Sequence, residues 1–200
     1  MNRRVEVRAW AVLGPGDAAD VAFVPPLLRR RLSPLQKVFF HLANFGPDAP
    51  TPRNVVFASR DGEDTLTRRI VEEFQSDGTV SPHRFSASVY NAAPGLWSVF
   101  TKNTAPYTAL AAGDDTVECG LLEALNAAQG GREAVFVCAE ETGGGSGVAL
   151  RLAEAADGAV RVTDAAGGGA ALTMAQLVAF VRDGVDLDGK WTAWRQHCAD

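Results

Sequence analysis

The stretch from Pro106 to Gln129 constrains the fold more than any other part of the chain. Pro106 to Ala111 is a short apolar run, Gly113, Asp114 and Asp115 form a sharp acidic turn, and from Asp115 onward Val117, Leu121, Leu122, Leu125 and Ala128 share one side of a helix. A strand that turns at once into an amphipathic helix is the repeating unit of a layered α/β domain. It also delivers the turn residues to a helix N-terminus, where free N–H groups and dipole density favour negative charge. Elbows of this kind commonly carry a nucleophile, yet none of Gly113, Asp114 and Asp115 bears a thiol or a hydroxyl. Asp115 and Glu118 have capping-box spacing, with aspartate in the place usual for serine or threonine. Asp114 is the sharper candidate for a carboxylate held ionised in a pocket.

The rest of the chain repeats the alternation. Val5, Val7, Ala9 and Ala11 predict a first strand ended by Gly14-Pro15-Gly16, and residues 15–33 read as irregular. Ser33-Pro34 opens a helix with Leu35, Val38, Phe39 and Leu42 on its apolar face. Asn54 to Ser59 fits a buried strand. A helix from Asp64 to Phe74 follows, with Leu66, Ile70, Val71 and Phe74 as its core stripe. Ser81-Pro82 repeats the cap-plus-proline device, and the small residues Ala92, Ala93 and Gly95 imply that a neighbouring backbone passes close by. Ala134 to Ala139 is the next buried strand. Gly147–Leu152 and Ala159–Thr163 read as an edge hairpin turned at Asp157-Gly158. Thr173 to Val181 reads as a closing helix capped by Thr173. The expectation is one α/β domain over residues 1–200, a mixed sheet covered by helices.

Several function classes drop out. A net charge of −5 opposes a nucleic-acid surface. No apolar run approaches the ~20 residues of a membrane span, and Glu6 and Arg8 interrupt the N-terminal apolar patch as a strand would, not a signal peptide. The three cysteines (Cys119, Cys138, Cys198) make neither a disulfide framework nor a metal motif, which predicts a reducing cytoplasm. Cys119, about one turn into its helix, and Cys138, inside an apolar strand, read as inert. The three histidines, His41, His83 and His197, have no metal-binding spacing, so no metal and no cofactor are expected. The glycine-rich run from Gly143 to Gly147 lacks the lysine of a phosphate loop and leads to a strand. Arg29, Arg30 and Arg31 read as a solvated face, or as a surface for an acidic partner.

A set of motifs is familiar. Ser81-Pro82-His83-Arg84-Phe85-Ser86, Val89-Tyr90-Asn91-Ala92 and Gly95 lead to Ala105-Pro106 and Thr108-Ala109-Leu110-Ala111-Ala112. Together they resemble the segment of β-ketoacyl synthases that precedes the nucleophile, and Ala134 to Glu140 is similar to the strand that follows it. The likeness is to the β-ketoacyl synthase-like N-terminal domain family, whose members resemble chain-length factors of aryl polyene and other type II fatty-acid or polyketide clusters. It covers residues 55–152 best and leaves 165–200 as an extension.

This resemblance implies a thiolase-like layered fold, N-terminal half only. It sets the synthase cysteine at Asp114, or at Gly113 with a one-residue slip, and a carboxylate cannot carry an acyl chain by transthioesterification. The two histidines and the lysine of condensing enzymes belong to a C-terminal half that the likeness does not reach. The implied role is therefore a non-condensing pseudoenzyme. Alternatives are residual malonyl decarboxylase or acyltransferase activity at the elbow, or a scaffold for carrier proteins or lipids. By resemblance, Tyr107, Thr108, Ala109, Leu110 and Ala111 form the strand that pairs across a dimer with a ketosynthase or a second copy. An acyl carrier protein is a further implied partner.

Overall fold

The computed structural model describes residues 2–45, 53–155, 160–165 and 169–196. In chain order the elements are β1 (Asn2–Leu13), α1 (Pro26–Arg29), α2 (Pro34–Ala43), β2 (Asn54–Ala58), α3 (Asp64–Asp77), α4 (Pro82–Ser88), α5 (Ala92–Thr101), β3 (Tyr107–Leu110), α6 (Thr116–Ala127), β4 (Glu133–Glu140), β5 (Ser146–Glu154), β6 (Val160–Asp164), α7 (Met174–Asp183), β7 (Leu187–Asp188) and β8 (Thr192–Gln196). The strands form one eight-stranded sheet in the order β3-β2-β4-β5-β1-β6-β8-β7. β2 runs parallel to β3 and β4, and the remaining pairings are antiparallel. β2 and β4 are apolar on both faces because helices cover both. Val56, Phe136 and Leu150 pack against α6 and α7 on one face, while Phe57, Val137 and Ala149 meet α2 and α5 on the other.

The N-terminal strand decides the topology. β1 pairs with β5 through residues 5–13 and with β6 through residues 2–5. The expected hairpin between Gly147–Leu152 and Ala159–Thr163 is therefore replaced: β1 lies between the two strands, and β5 is interior rather than an edge. The turn Asp157-Gly158 and Ala159 lie outside the described residues. A register shift between Val7 and Ala9 changes which side chains face which layer. Val5 and Val7 join the α6–α7 side, but beyond the shift Val12 takes that role and Ala11 and Leu13 turn to α2.

Local signals hold where their partners are local. Ser33 Oγ accepts from Gln36 N–H and the Gln36 side chain returns to the Ser33 N–H, a complete capping box; Thr173 and Gln176 do the same for α7. Residues 15–33 are mostly irregular but include the single turn of α1. Ser81, by contrast, makes no side-chain cap on α4, although Pro82 does open it. The core stripe expected on α3 is also largely wrong. Ile70 is buried, whereas Val71 and Phe74 are exposed, because α3 packs against α4 and not onto the sheet.

The C-terminal segment is held by a carboxylate. Glu118, fully buried, accepts from the backbone N–H groups of Lys190 (2.8 Å), Trp191 (2.8 Å) and Thr192 (2.7 Å) and from Thr192 Oγ1 (2.9 Å). Asp115 and Glu118 consequently form no capping box. Gly189 allows the wrap, since a Cβ there would lie 2.4 Å from Glu118 Oε1. Leu172, Leu177, Phe180, Leu187 and Trp194 then complete the core over α6. Among the described residues no helix is long and apolar enough to cross a membrane.

Candidate functional site

The elbow begins where β3 ends. After Leu110 the chain passes Ala111 and Ala112, turns at Gly113 (φ +58°), makes one 3-10 turn over Gly113–Asp115 and enters α6. Thr116 closes the turn: its hydroxyl accepts from Ala112 N–H (3.0 Å) and donates to Gly113 O (2.7 Å). The left-handed Gly113 backbone is the one position here that favours glycine. Tyr90 braces the joint from the other side. Its hydroxyl accepts from Ser59 N–H (3.0 Å) and reaches Leu110 O (2.6 Å) and Ser59 O, tying the ends of β2 and β3 together. Burial pushes the Tyr90 phenol up to about 12, so it stays a neutral donor. α6 sits hard on the sheet, because a Cβ at Gly120 would lie 2.5 Å from the Phe136 ring and 2.8 Å from Ala58 Cβ.

Around the turn the charges are paired. Asp114 is exposed and its carboxylate meets Arg60 Nη1 at 2.7 Å; Asp115 meets Lys190 Nζ at 3.1 Å. Glu140, at the end of β4, accepts from Ser59 Oγ (2.9 Å) and from the N–H groups of Arg60 and Asp61. Burial raises its pKa against the lowering effect of those donors. A cleft of about 460 Å³ opens here, lined by Arg60, Gly113, Asp114, Val117, Cys138, Glu140 and the run Ala170–Met174. Neither thiol in reach is activated. Burial raises the Cys138 pKa strongly, and Cys119 is raised by burial and then by Asp115 and Glu118. His41 Nδ1 accepts from Asp20 N–H and His83 lies on α4, both away from the elbow; His197 and Cys198 lie outside the described residues. Among the described residues no group of three or more His, Cys, Asp or Glu could hold a metal ion.

The other residues singled out in the sequence lie on α4, on α5 and at the start of β3. Ser81, Pro82 and Phe85 belong to α4 and its start, Asn91 precedes α5, and Pro106 precedes β3. Gly95 faces a side chain, not the backbone expected: its would-be Cβ lies 3.1 Å from the Tyr107 hydroxyl. β3 (Tyr107, Thr108, Ala109, Leu110) is the edge of the sheet, with Ala111 just beyond it. The Pro106 and Leu110 carbonyls accept from Val55 and Ser59 N–H groups, so Tyr107 and Ala109 turn their backbone N–H and C=O outward. Of the arginines, Arg29 is tied to Val24 O and Ala22 O. Arg30 and Arg31 instead line a cleft of about 620 Å³ with Lys37, Arg69 and Arg84. Sequence reading missed Arg60 and the roles of Tyr90, Glu118 and Glu140, whose partners lie far along the chain.

Residues 6–143 match the family described as beta-ketoacyl synthase, N-terminal domain, which is more than half of the chain. No curated protein matches the sequence. Among solved structures, the chain is similar to one from a ketosynthase (ApeO) in complex with its chain length factor (ApeC) from Xenorhabdus doucetiae. The TM-score is 0.76 at 20% identity, over 96% of this chain and 98% of that one. It is also similar to a chain in a complex of a type II polyketide synthase acyl-carrier protein with its hexaketide-bound ketosynthase (AntDE:AntF). There the TM-score is 0.62 at 12% identity, over 80% of this chain and 67% of that one. At these identities the likeness is one of fold, and the fold is the thiolase-like N-terminal half of a ketosynthase.

Proposed function

We propose, for a chain that belongs to the β-ketoacyl synthase N-terminal domain family, a non-condensing, chain-length-factor-like role exerted through association with a ketosynthase. The observation that carries this reading is Asp114. An elbow braced by Thr116 and Tyr90 presents a carboxylate, paired with Arg60, at the position where the resemblance sets the synthase cysteine. A carboxylate in an ion pair neither attacks a thioester nor leaves from one, and the two nearby thiols are held protonated. The shape of a condensing site is kept while its chemistry is gone.

Association is supported by the free edge. An unpaired edge strand is normally blunted in a protein that stays alone. Here β3 is flanked instead by apolar groups: Val89, Val99 and Tyr107 border one groove, and Val99 is 78% exposed. The ketosynthase complexes among the fold relatives make a ketosynthase the partner of choice, with an acidic acyl carrier protein meeting the cationic cleft at Arg30 and Arg31. Reconstitution tests the reading. Mixed with a ketosynthase and loaded carrier protein, the chain should co-elute with the ketosynthase and change the length distribution of products read by mass spectrometry. Ala109→Pro removes an outward N–H without touching the β2 ladder and should abolish both effects. Separate elution at micromolar concentration, with unchanged product lengths, rules the role out.

A further inference from the structure

Within three residues of the elbow's Arg60 and Glu140, α2, α3 and the end of β4 meet over two carboxyl groups that the proposed role does not use. Glu63, just before α3, is 4% exposed, and Glu141, just after β4, is 9% exposed. Glu63 Oε1 accepts from Ser33 Oγ (2.9 Å) and from Gln36 Nε2 (2.9 Å). Glu141 Oε1 accepts from Thr65 N–H. The second oxygen of each, Oε2, is buried without a hydrogen-bond partner.

Two ionised carboxylates could not remain so, because each uncompensated buried charge costs several kcal/mol. Among the described residues no cation compensates them. From α3, Asp64 is bound to Arg68; from the β2–α3 loop, Arg60 is engaged by Asp114 and lies 3.9 Å from Asp61; from β4, Glu140 is held by Ser59, Arg60 and Asp61. From α2, Lys37 lines the cationic cleft, as do His83 and Arg84 from α4, the latter paired with Glu73. Glu63 has the pattern of a neutral acid: one oxygen accepts two hydrogen bonds, and the other has none and is free to donate.

We propose that Glu63 and Glu141 form an acid–carboxylate pair sharing one proton, a latch joining the start of α3 to the end of β4. Glu63 Oε2–H donates to Glu141 Oε2, and both buried Oε2 atoms are then satisfied. The latch reaches further through Gln36, whose Nε2 also donates to Ala87 O on α4 (3.3 Å). α4 in turn forms one wall of the groove beside β3. The proton therefore fixes the geometry of the face flanking the free edge.

Burial, with Glu141 adding to it against the Ser33 and Gln36 hydrogen bonds, raises the Glu63 pKa to about 7. An acid whose folded pKa is raised stabilises the fold in its protonated form. That stability is full below the unfolded value and is lost as pH climbs through the folded one. The latch loosens above neutrality and releases its proton to solvent.

Urea unfolding of the full chain at pH 5.5 and 8.5 tests this. The unfolding constant should rise on the order of thirty-fold between the two for the unaltered protein. In Glu63→Gln, whose amide can donate to Glu141 at every pH, most of that rise should be lost, leaving the smaller part that Glu140 contributes. Equal pH dependence in both proteins overturns the proposal, as does stabilisation at pH 8.5 by an added cation alone. Should the variant fail to fold, a carbon-13 titration of the Glu63 carboxyl in the unaltered protein decides: a midpoint near 7 supports the latch, and one below about 5 overturns it.

Discussion

Replacing Glu118 should detach the C-terminal segment from the rest of the fold. Its carboxylate receives three backbone N–H groups and one hydroxyl at 2.7–2.9 Å, inside the protein. In Glu118→Ala the donors of Lys190, Trp191 and Thr192 lose their acceptor. Each buried N–H left unpaired costs about 1–3 kcal/mol, and because Lys190 and Trp191 are only partly enclosed the sum is about 4 kcal/mol. That is a large share of the roughly 5–15 kcal/mol that holds a domain together. Glu118→Gln keeps the shape and one oxygen, setting one amide nitrogen against one donor, so it should cost about 2 kcal/mol. Thermal unfolding should then fall by about 8–16 °C for alanine and about half as much for glutamine. Hydrogen exchange adds a local reading, since the amides of residues 190–192 should lose protection before the β2–β4 core does. If Glu118→Ala costs less than about 1 kcal/mol and leaves those amides protected, the carboxylate is not the anchor and the argument fails.

Two further substitutions probe the elbow. Tyr90→Phe removes the hydroxyl bridging Ser59 and Leu110 and should lower stability by about 1–2 kcal/mol in urea unfolding, with faster exchange at Ser59 than at Phe136. Gly120→Ala tests the packing of α6: helix propensity alone would stabilise by about 1 kcal/mol. The contacts of 2.5 Å to Phe136 and 2.8 Å to Ala58 should instead make it destabilising, so the sign of the change in melting temperature decides between them.

Much of the fold was legible because its causes are local. The apolar runs at Val55 and Ala134, the serine-proline start at Ser33, the cap at Thr173 and the strand–turn–helix around Gly113 are set by residues a few positions apart. The motif around Ser81 to Ala112 pointed to the family that matches residues 6–143, and Asp114 stood out as a carboxylate at a strand–turn–helix. The likeness could not say what Asp114 meets; Arg60 comes from the end of a different strand.

What the sequence determined by itself was the alternation of elements and an acidic turn, Gly113 to Asp115, between a strand and a helix. Tertiary structure alone decided that β1 separates β5 from β6, that Val71 and Phe74 stay in water, and that Glu118 serves the tail instead of its own helix. The reason is competition between near and distant partners. A carboxylate spaced for a capping box found several donors more than seventy residues away, and a strand's pairing depends on which other strands reach it, which no local pattern encodes.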